Sequence, residues 1–233
     1  QMKLLVKPQG LPPIERTNVY VRGNPVIYGG SPLDDATEIL ESLSAQHFQE
    51  VVIERVVAKF EATSKAHVYY IDEISARKQR FKPGESVPVW IRLISKKNKE
   101  QKIITAELDI PKTAPPGILR FALSGGSTAM RMRQRVGALP PRPRNINQLI
   151  RWLKKLTYRG NELVYMSSTM TNGVEFSGEP LHSLPASVTG ALFSLGSSEV
   201  LPLREIREKR IPTNFIVQGS AFFTVNVEAD EKE

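Results

Sequence analysis

The strongest constraint on what this chain can become is a change of pattern at Phe48. From there to about Ser124 the sequence advances in short runs rich in β-branched and aromatic residues, broken by turn formers at the spacing of a β-sandwich. Strands are predicted over 49–61, 66–75, 86–95, 101–109 and 117–123. Between the second and third lies Phe81-Lys82-Pro83-Gly84-Glu85, where proline presets the first central turn position and glycine accepts positive φ at the next. Ser95-Lys96-Lys97-Asn98-Lys99-Glu100 reads as a polar hairpin tip whose lysines keep a loop in water or guard an edge. The predicted fold class is mostly β with an α+β part, and the sandwich is assigned to 48–126.

The flanks read differently. Pro8, Pro12, Pro13 and Pro25 with four glycines make 1–30 an extended lead-in. Ser31-Pro32 then supplies a capping hydroxyl and a proline at the first helical position, with Asp34, Asp35 and Glu38 near the positive end of the dipole. This predicts a helix over 32–46 with an apolar stripe of Leu33, Ala36, Ile39, Leu40 and Leu43, so that 1–47 packs on the body. Gly125-Gly126-Ser127 closes the sandwich, and 127–144 is expected to be a basic Pro/Arg linker or excursion. Within it, Arg131-Met132-Arg133-Gln134-Arg135 also suits an edge strand with one charged face, and 139–143 a rigid polyproline-like spacer.

From 145 to 233 a small α+β module is predicted. Asn145 and Gln148 have the spacing of a capping box, and Ile146, Leu149, Ile150, Leu153 and Leu156 form a buried stripe. Lys154 and Lys155 complement the negative end of the dipole, and Gly160 suits a left-handed stop. A strand at 162–168, a short helix after Ser183-Leu184-Pro185, and strands near 199–207 and 214–227 follow, Gly219 marking a bulge or bend in the last. The acidic tail 228–233 is expected to fray.

The residue sets that enzymes need are missing. No two glycines stand four apart, as a hydrolytic elbow around serine requires, and none are separated by a single residue, as a dinucleotide fingerprint requires. No glycine-lysine pair exists for a phosphate loop. His47, His67 and His182 have no short ligand spacing, and the absence of cysteine removes thiolate metal sites, disulfides and a cysteine nucleophile. No catalytic, cofactor or metal residue is therefore assigned. Two carboxylates, or a serine and a histidine, brought together by the fold would reopen that conclusion. No run approaches the roughly eighteen apolar residues of a membrane span, so the chain is not read as transmembrane. Gln1-Met2-Lys3 lacks the pattern of a secretory leader and reads as a fragment boundary.

The net charge of +8 is local. Between Asp109 and Glu162 there is no acidic residue, and that interval holds eleven of the 32 basic residues, leaving 21 against 24 acidic elsewhere. Arg131, Arg133, Arg135, Arg142, Arg144, Arg151, Lys154, Lys155 and Arg159 are the candidate partner-binding residues. They could neutralise an anionic surface or a protein partner. With Trp152 and Tyr158 as stacking faces, nucleic-acid binding is the alternative they raise.

Read in order, Asn18-Val19-Tyr20, Pro32 with the helix to Phe48, Val51-Val52-Ile53-Glu54, Lys82-Pro83-Gly84-Glu85, Ile110-Pro111 and Pro115-Pro116-Gly117 resemble the region after the catalytic domain in bacterial SpoIVB-like serine peptidases. The resemblance continues through Asn147-Gln148-Leu149-Ile150, Leu163-Val164-Tyr165, Leu184-Pro185-Ala186-Ser187-Val188 and Ile211-Pro212-Thr213-Asn214-Phe215-Ile216-Val217-Gln218-Gly219-Ser220, and so covers nearly the whole chain. It rests on order and spacing. It implies an accessory region of a larger exported bacterial protein, extracytoplasmic, with the catalytic histidine and serine upstream and none of them here. It further implies an immunoglobulin-like sandwich over Val51 to Leu123, and a protein partner, or the chain's own upstream domain, as what the region binds. The Arg131-to-Arg144 stretch departs from the pattern in being longer and more basic. The expected function is to position a substrate, a partner or the upstream domain, with anion or nucleic-acid binding through 131–159 as the alternative.

Overall fold

The computed structural model describes residues 1–21, 31–63, 67–135, 143–155, 158–176, 179–182, 184–194, 196 and 200–229, with the backbone alone for 170–172 and 179. Among them the chain forms thirteen strands and four helices and is mostly β.

The lead-in is not merely extended. It folds into an antiparallel hairpin of β1 (Met2–Pro8) and β2 (Ile14–Asn18), with Gly10 at φ +68 between them. Helix α1 (Pro32–Ala45) starts where the cap and proline predict. The Ser31 hydroxyl accepts the Asp34 N–H at 3.3 Å, and the Asp34 carboxylate accepts the Ser31 N–H at 2.6 Å. Ile39 and Leu43 of its stripe are buried, but Leu33 stands 71% exposed and does not join it.

Strand β3 (Ile53–Phe60) pairs with β1, giving the three-stranded sheet β2-β1-β3. Helix α1 and the later helix Ile146–Lys155 cover β1 and β2. The core between them consists of Met2, Leu4, Val6, Ile14, Ile39, Leu43, Ile146, Leu149, Ile150 and Leu153.

Strands β4 (Val68–Ala76), β6 (Ser86–Ile94), β7 (Gln101–Asp109) and β8 (Gly117–Gly125) fall near their predicted positions, and a short strand β5 (Arg80–Phe81), not expected from the sequence, stands between β4 and β6 in the chain. Gly84 has φ +82, and the Glu85 N–H donates to the Lys82 carbonyl at 3.2 Å, which closes the predicted turn. Helices α2 (Gly126–Arg135) and α3 (Ile146–Lys155) come next. They are followed by β9 (Glu162–Phe176), β10 (Glu179–Leu181), α4 (Ala186–Ser194), β11 (Val200–Pro212), β12 (Ile216–Gln218) and β13 (Ser220–Val227).

Two sheets pack face to face. One runs β12-β4-β6-β7, the other β10-β9-β8-β13-β5 with β11 also on β9. Tyr69, Val87, Val89, Ile91, Leu93, Phe121, Leu123, Leu163, Val217 and Val225 share the core between them.

These pairings redraw the expected modules. The sandwich does not occupy 48–126 by itself, because β13 inserts between β8 and β5, β12 pairs in parallel with β4, and β9 pairs with β8. The run at 49–61 belongs instead to the sheet built from the lead-in. The α+β body is therefore composed of β1, β2, β3, α1 and α3, drawn from both ends of the expected division. Gly219, with φ +85, is the bend that passes the chain from β12 in one sheet to β13 in the other.

The stretch 127–144 also differs from a linker. Its first part is α2, because Ala129 and Met132, three apart, bury against Ala122, Val164 and Met166 on the outer face of β8 and β9. Residues 136–142, Leu156 and the end of the acidic tail lie outside the described residues.

Candidate functional site

The basic interval is divided between two helices and the residues that flank them. Arg131, Arg133 and Arg135 are on α2, which packs on the outer face of β8 and β9, whereas Arg151, Lys154 and Lys155 are on α3, which packs against β2. Arg144 precedes α3, Arg159 follows it beside Glu162 at 3.9 Å, and Arg142 lies outside the described residues.

Arg133 turns inward. Its guanidinium meets Glu208 at 2.5 Å and donates to the Tyr158 hydroxyl at 3.1 Å, and that hydroxyl donates to Glu208 at 2.7 Å. Arg210 lies 4.3 Å over the Tyr158 ring, pairs with Glu208 at 2.8 Å and donates to the Lys155 carbonyl at 2.9 Å. Burial first, and then Glu208, push the Tyr158 phenol above its ordinary range, against the opposing pull of Arg133. Of the two rings expected to stack on bases, Tyr158 is buried beneath Arg210, and Trp152 is partly buried against the second core with its indole N–H enclosed. Arg131, Arg135, Arg151, Lys154, Lys155 and Arg159 remain exposed.

A second constellation, unexpected from the sequence, joins the two bodies. Arg16, 4% exposed on β2, reaches Asp35 at 3.2 Å, Glu38 at 2.7 Å and the Leu153 carbonyl at 3.2 Å. Asn18 donates to Asp35 at 3.1 Å, and its own carbonyl oxygen accepts the Gly160 N–H at 2.9 Å. Tyr20 donates its hydroxyl proton to the same Asp35 oxygen as Asn18 does.

These groups line a cleft of about 270 Å³ together with Asp34. Carboxylates thus do converge, but both oxygens of Asp35 are already occupied by donors, as suits a clasp between α1 and β2 rather than a proton-transfer pair. Gly160 serves close approach, not a left-handed stop. A methyl group on it would lie 2.2 Å from the Val19 carbonyl oxygen, and its φ is not among the positive values.

Above that seam opens a wider cleft of about 850 Å³, lined by Met2, Tyr20, Phe60, His67, Asn161, Phe215 and Ile216 among others. His67 also shares a cleft of about 170 Å³ with Tyr69, Glu100 and Lys102, where the Tyr69 hydroxyl holds the Glu100 carboxyl below its usual range. No serine among the described residues lines either cleft. Among the described residues no three His, Asp or Glu side chains are grouped to hold a metal, and no helix is long and apolar enough to cross a membrane.

Phe60 in the wall of the wide cleft is the end of an uncovered piece of sheet. Met2, Leu4 and Val6 of β1 are buried, and their register partners on β3 are Phe60, Ala58 and Val56, which project from the same face. Yet Phe60 is 61% and Val56 44% exposed, and Ala58 is exposed too. The helices cover the sheet as far as Val51 and Ile53 and stop. On the opposite face Lys59 stands directly across from Lys3, and Arg55 from Lys7.

Sequence reading assigned this run to the sandwich and so missed it. The signal was present in the alternation itself, with Val56, Ala58 and Phe60 on one parity and Arg55 and Lys59 on the other. No protein-family model, curated protein or solved structure matches this chain.

Proposed function

We propose that this chain is a non-catalytic docking region that holds a polypeptide partner, a substrate or the domain preceding it in an exported bacterial protein of the SpoIVB-like serine peptidase kind. The observation that carries the reading is the uncovered end of the sheet β2-β1-β3, where Val56 and Phe60 stand open and Phe60 lines a cleft of about 850 Å³. Apolar side chains that continue a buried core without a cover mark a surface completed by something else. The packed β4–β13 sheets then serve as the rigid body on which that surface is held, an immunoglobulin-like module in an extracytoplasmic protein on the strength of the resemblance.

The test uses the complete gene product. The portion preceding this chain is produced separately and titrated against it by calorimetry, with wild type and with Phe60→Ser. Association at micromolar or lower Kd, weakened by the substitution by about tenfold for the lost apolar burial, supports the reading. A gene product with no peptidase-like portion upstream removes the family context. Association indifferent to Phe60 overturns the docking surface.

A further inference from the structure

The free edge of β3 has a chemistry of its own, which extends the docking reading and rests on it. Glu61 exchanges backbone hydrogen bonds with Gln1, its N–H donating at 2.8 Å and its carbonyl accepting the terminal amine at 2.7 Å, so residue 61 points its backbone groups toward β1. Backbone direction alternates along an antiparallel ladder, so Phe60, Ala58 and Val56 turn their N–H and C=O groups the other way, to the edge that no described strand covers. The residues that offer unpaired backbone are thus the same ones that offer uncovered apolar side chains.

The other parity is cationic. Arg55 and Lys59 project from the opposite face, directly across from Lys7 and Lys3. Like charges directly opposed across a ladder are destabilising. Relief within the sheet is partial: Lys7 pairs with Glu54 at 2.8 Å, and Glu15 stands across from Leu5, diagonal to both lysines. Among the described residues Lys3, Arg55 and Lys59 have no carboxylate within ion-pair distance.

We infer that β3 receives an extended segment of a partner polypeptide as an added strand, and that this segment alternates apolar and acidic residues. Its apolar parity packs beside Val56 and Phe60 and extends by one strand the apolar face that begins with Met2 and Leu4 on β1. Its acidic parity lies beside Arg55 and Lys59 and relieves the opposed cations. Backbone hydrogen bonds give the affinity of strand addition, and the alternating side chains give its selectivity. A nucleic-acid ligand fits the face less well, since no aromatic side chain stands on the cationic parity of β1 or β3 to stack a base.

The experiment measures fluorescence anisotropy of labelled, end-capped octapeptides alternating valine with glutamate or valine with lysine, titrated with the whole chain. The glutamate peptide is expected to bind, and the lysine peptide to bind about tenfold more weakly or worse, the worth of two exposed ion pairs with their repulsive counterparts. Arg55→Glu with Lys59→Glu should reverse that order. A glutamate peptide N-methylated on the backbone groups facing β3 should lose binding, and this control leaves the protein untouched. Equal binding of the two peptides, or full binding by the N-methylated one, overturns the inference. The docking reading falls separately, if Phe60→Ser leaves association with the preceding portion of the gene product unchanged.

Discussion

Gly126 lies so close to the backbone of Arg159 that a methyl group on its Cα would stand 1.8 Å from the Arg159 carbonyl oxygen. The neighbouring Gly125 is pressed in the same way against the Val217 carbonyl, at 1.9 Å for a methyl group built there. The segment around 159–160 thus passes between α2, β12 and the end of β2 with no room for side chains. Gly126→Ala should cost about 3 kcal/mol, because the obstacle is backbone and cannot rotate away. Gly190→Ala in α4 meets nothing within 4 Å and should gain about 0.5–1 kcal/mol. Urea denaturation of both variants checks the pair, and equal effects would refute the close approach.

Arg16 is the buried member of the clasp. Arg16→Met removes the partner of Asp35 and Glu38 and the donor to Leu153. About 3 kcal/mol is expected, the lower end for a broken buried pair, because Glu38 is largely exposed and Asp35 keeps Asn18 and Tyr20. Chemical denaturation measures it, and a loss under about 1 kcal/mol would place Arg16 with ordinary surface pairs.

Tyr20 gives a pH signature. Burial first, and then its bond to Asp35, raise its phenol well above the ordinary range. The native state therefore holds this proton more tightly than the unfolded chain does. The stabilisation is complete below a pH of about 10, where the unfolded phenol titrates, and is lost as pH rises beyond it. Tyr20→Phe should cost about 2 kcal/mol at neutral pH, a hydrogen bond to a charged group, and should flatten the alkaline fall in stability. An alkaline limb identical to wild type would contradict the assignment.

Arg133 and Arg131 are two residues apart and should behave differently. Arg133→Gln disturbs the Glu208 and Tyr158 network and should cost about 1–2 kcal/mol. Arg131→Gln, on the exposed side of α2, should stay within about 0.5 kcal/mol. Thermal unfolding of the two variants tests whether the basic helix has an inner and an outer face.

Phe60→Ser should leave folding nearly untouched, within about 0.5 kcal/mol, since the ring is 61% exposed. Phe121→Ala, fully buried in the sandwich core, should cost about 3–5 kcal/mol. Comparable losses would mean that the Phe60 end of β3 is covered.

Local signals in the sequence were legible where one neighbour decides the outcome. Ser31 with Pro32 started α1, Pro83-Gly84 made its turn, and the Asn145 side chain accepts the Gln148 N–H at 2.9 Å at the start of α3. Gly219 was readable as a bend because a strand run cannot otherwise tolerate it.

Partner choice was hidden. Nothing local tells β3 to join β1 rather than β4, since both runs show the same alternation, and the choice is made by which face the helices cover. Helix α2 was missed because its Arg and Met residues alternate at period two, masking the Ala129–Met132 contact at three. Of the nine cations singled out, Arg133 could not be recognised as internal, because Glu208 reaches it from a strand 75 positions later.

The insertion of β13 between β8 and β5 fixes when the sandwich can close. Gly117 waits for Val227, 110 positions later, before its strand is paired on the side away from β9. Closing so long a loop comes late and slowly, and synthesis runs from the other end. A growing chain therefore carries β8 with that side unpaired until β13 emerges. The sandwich is thus sealed by β13, while the hairpin β1-β2, the strand β3 and the pairs β4-β6, β6-β7 and β8-β9 need nothing from it.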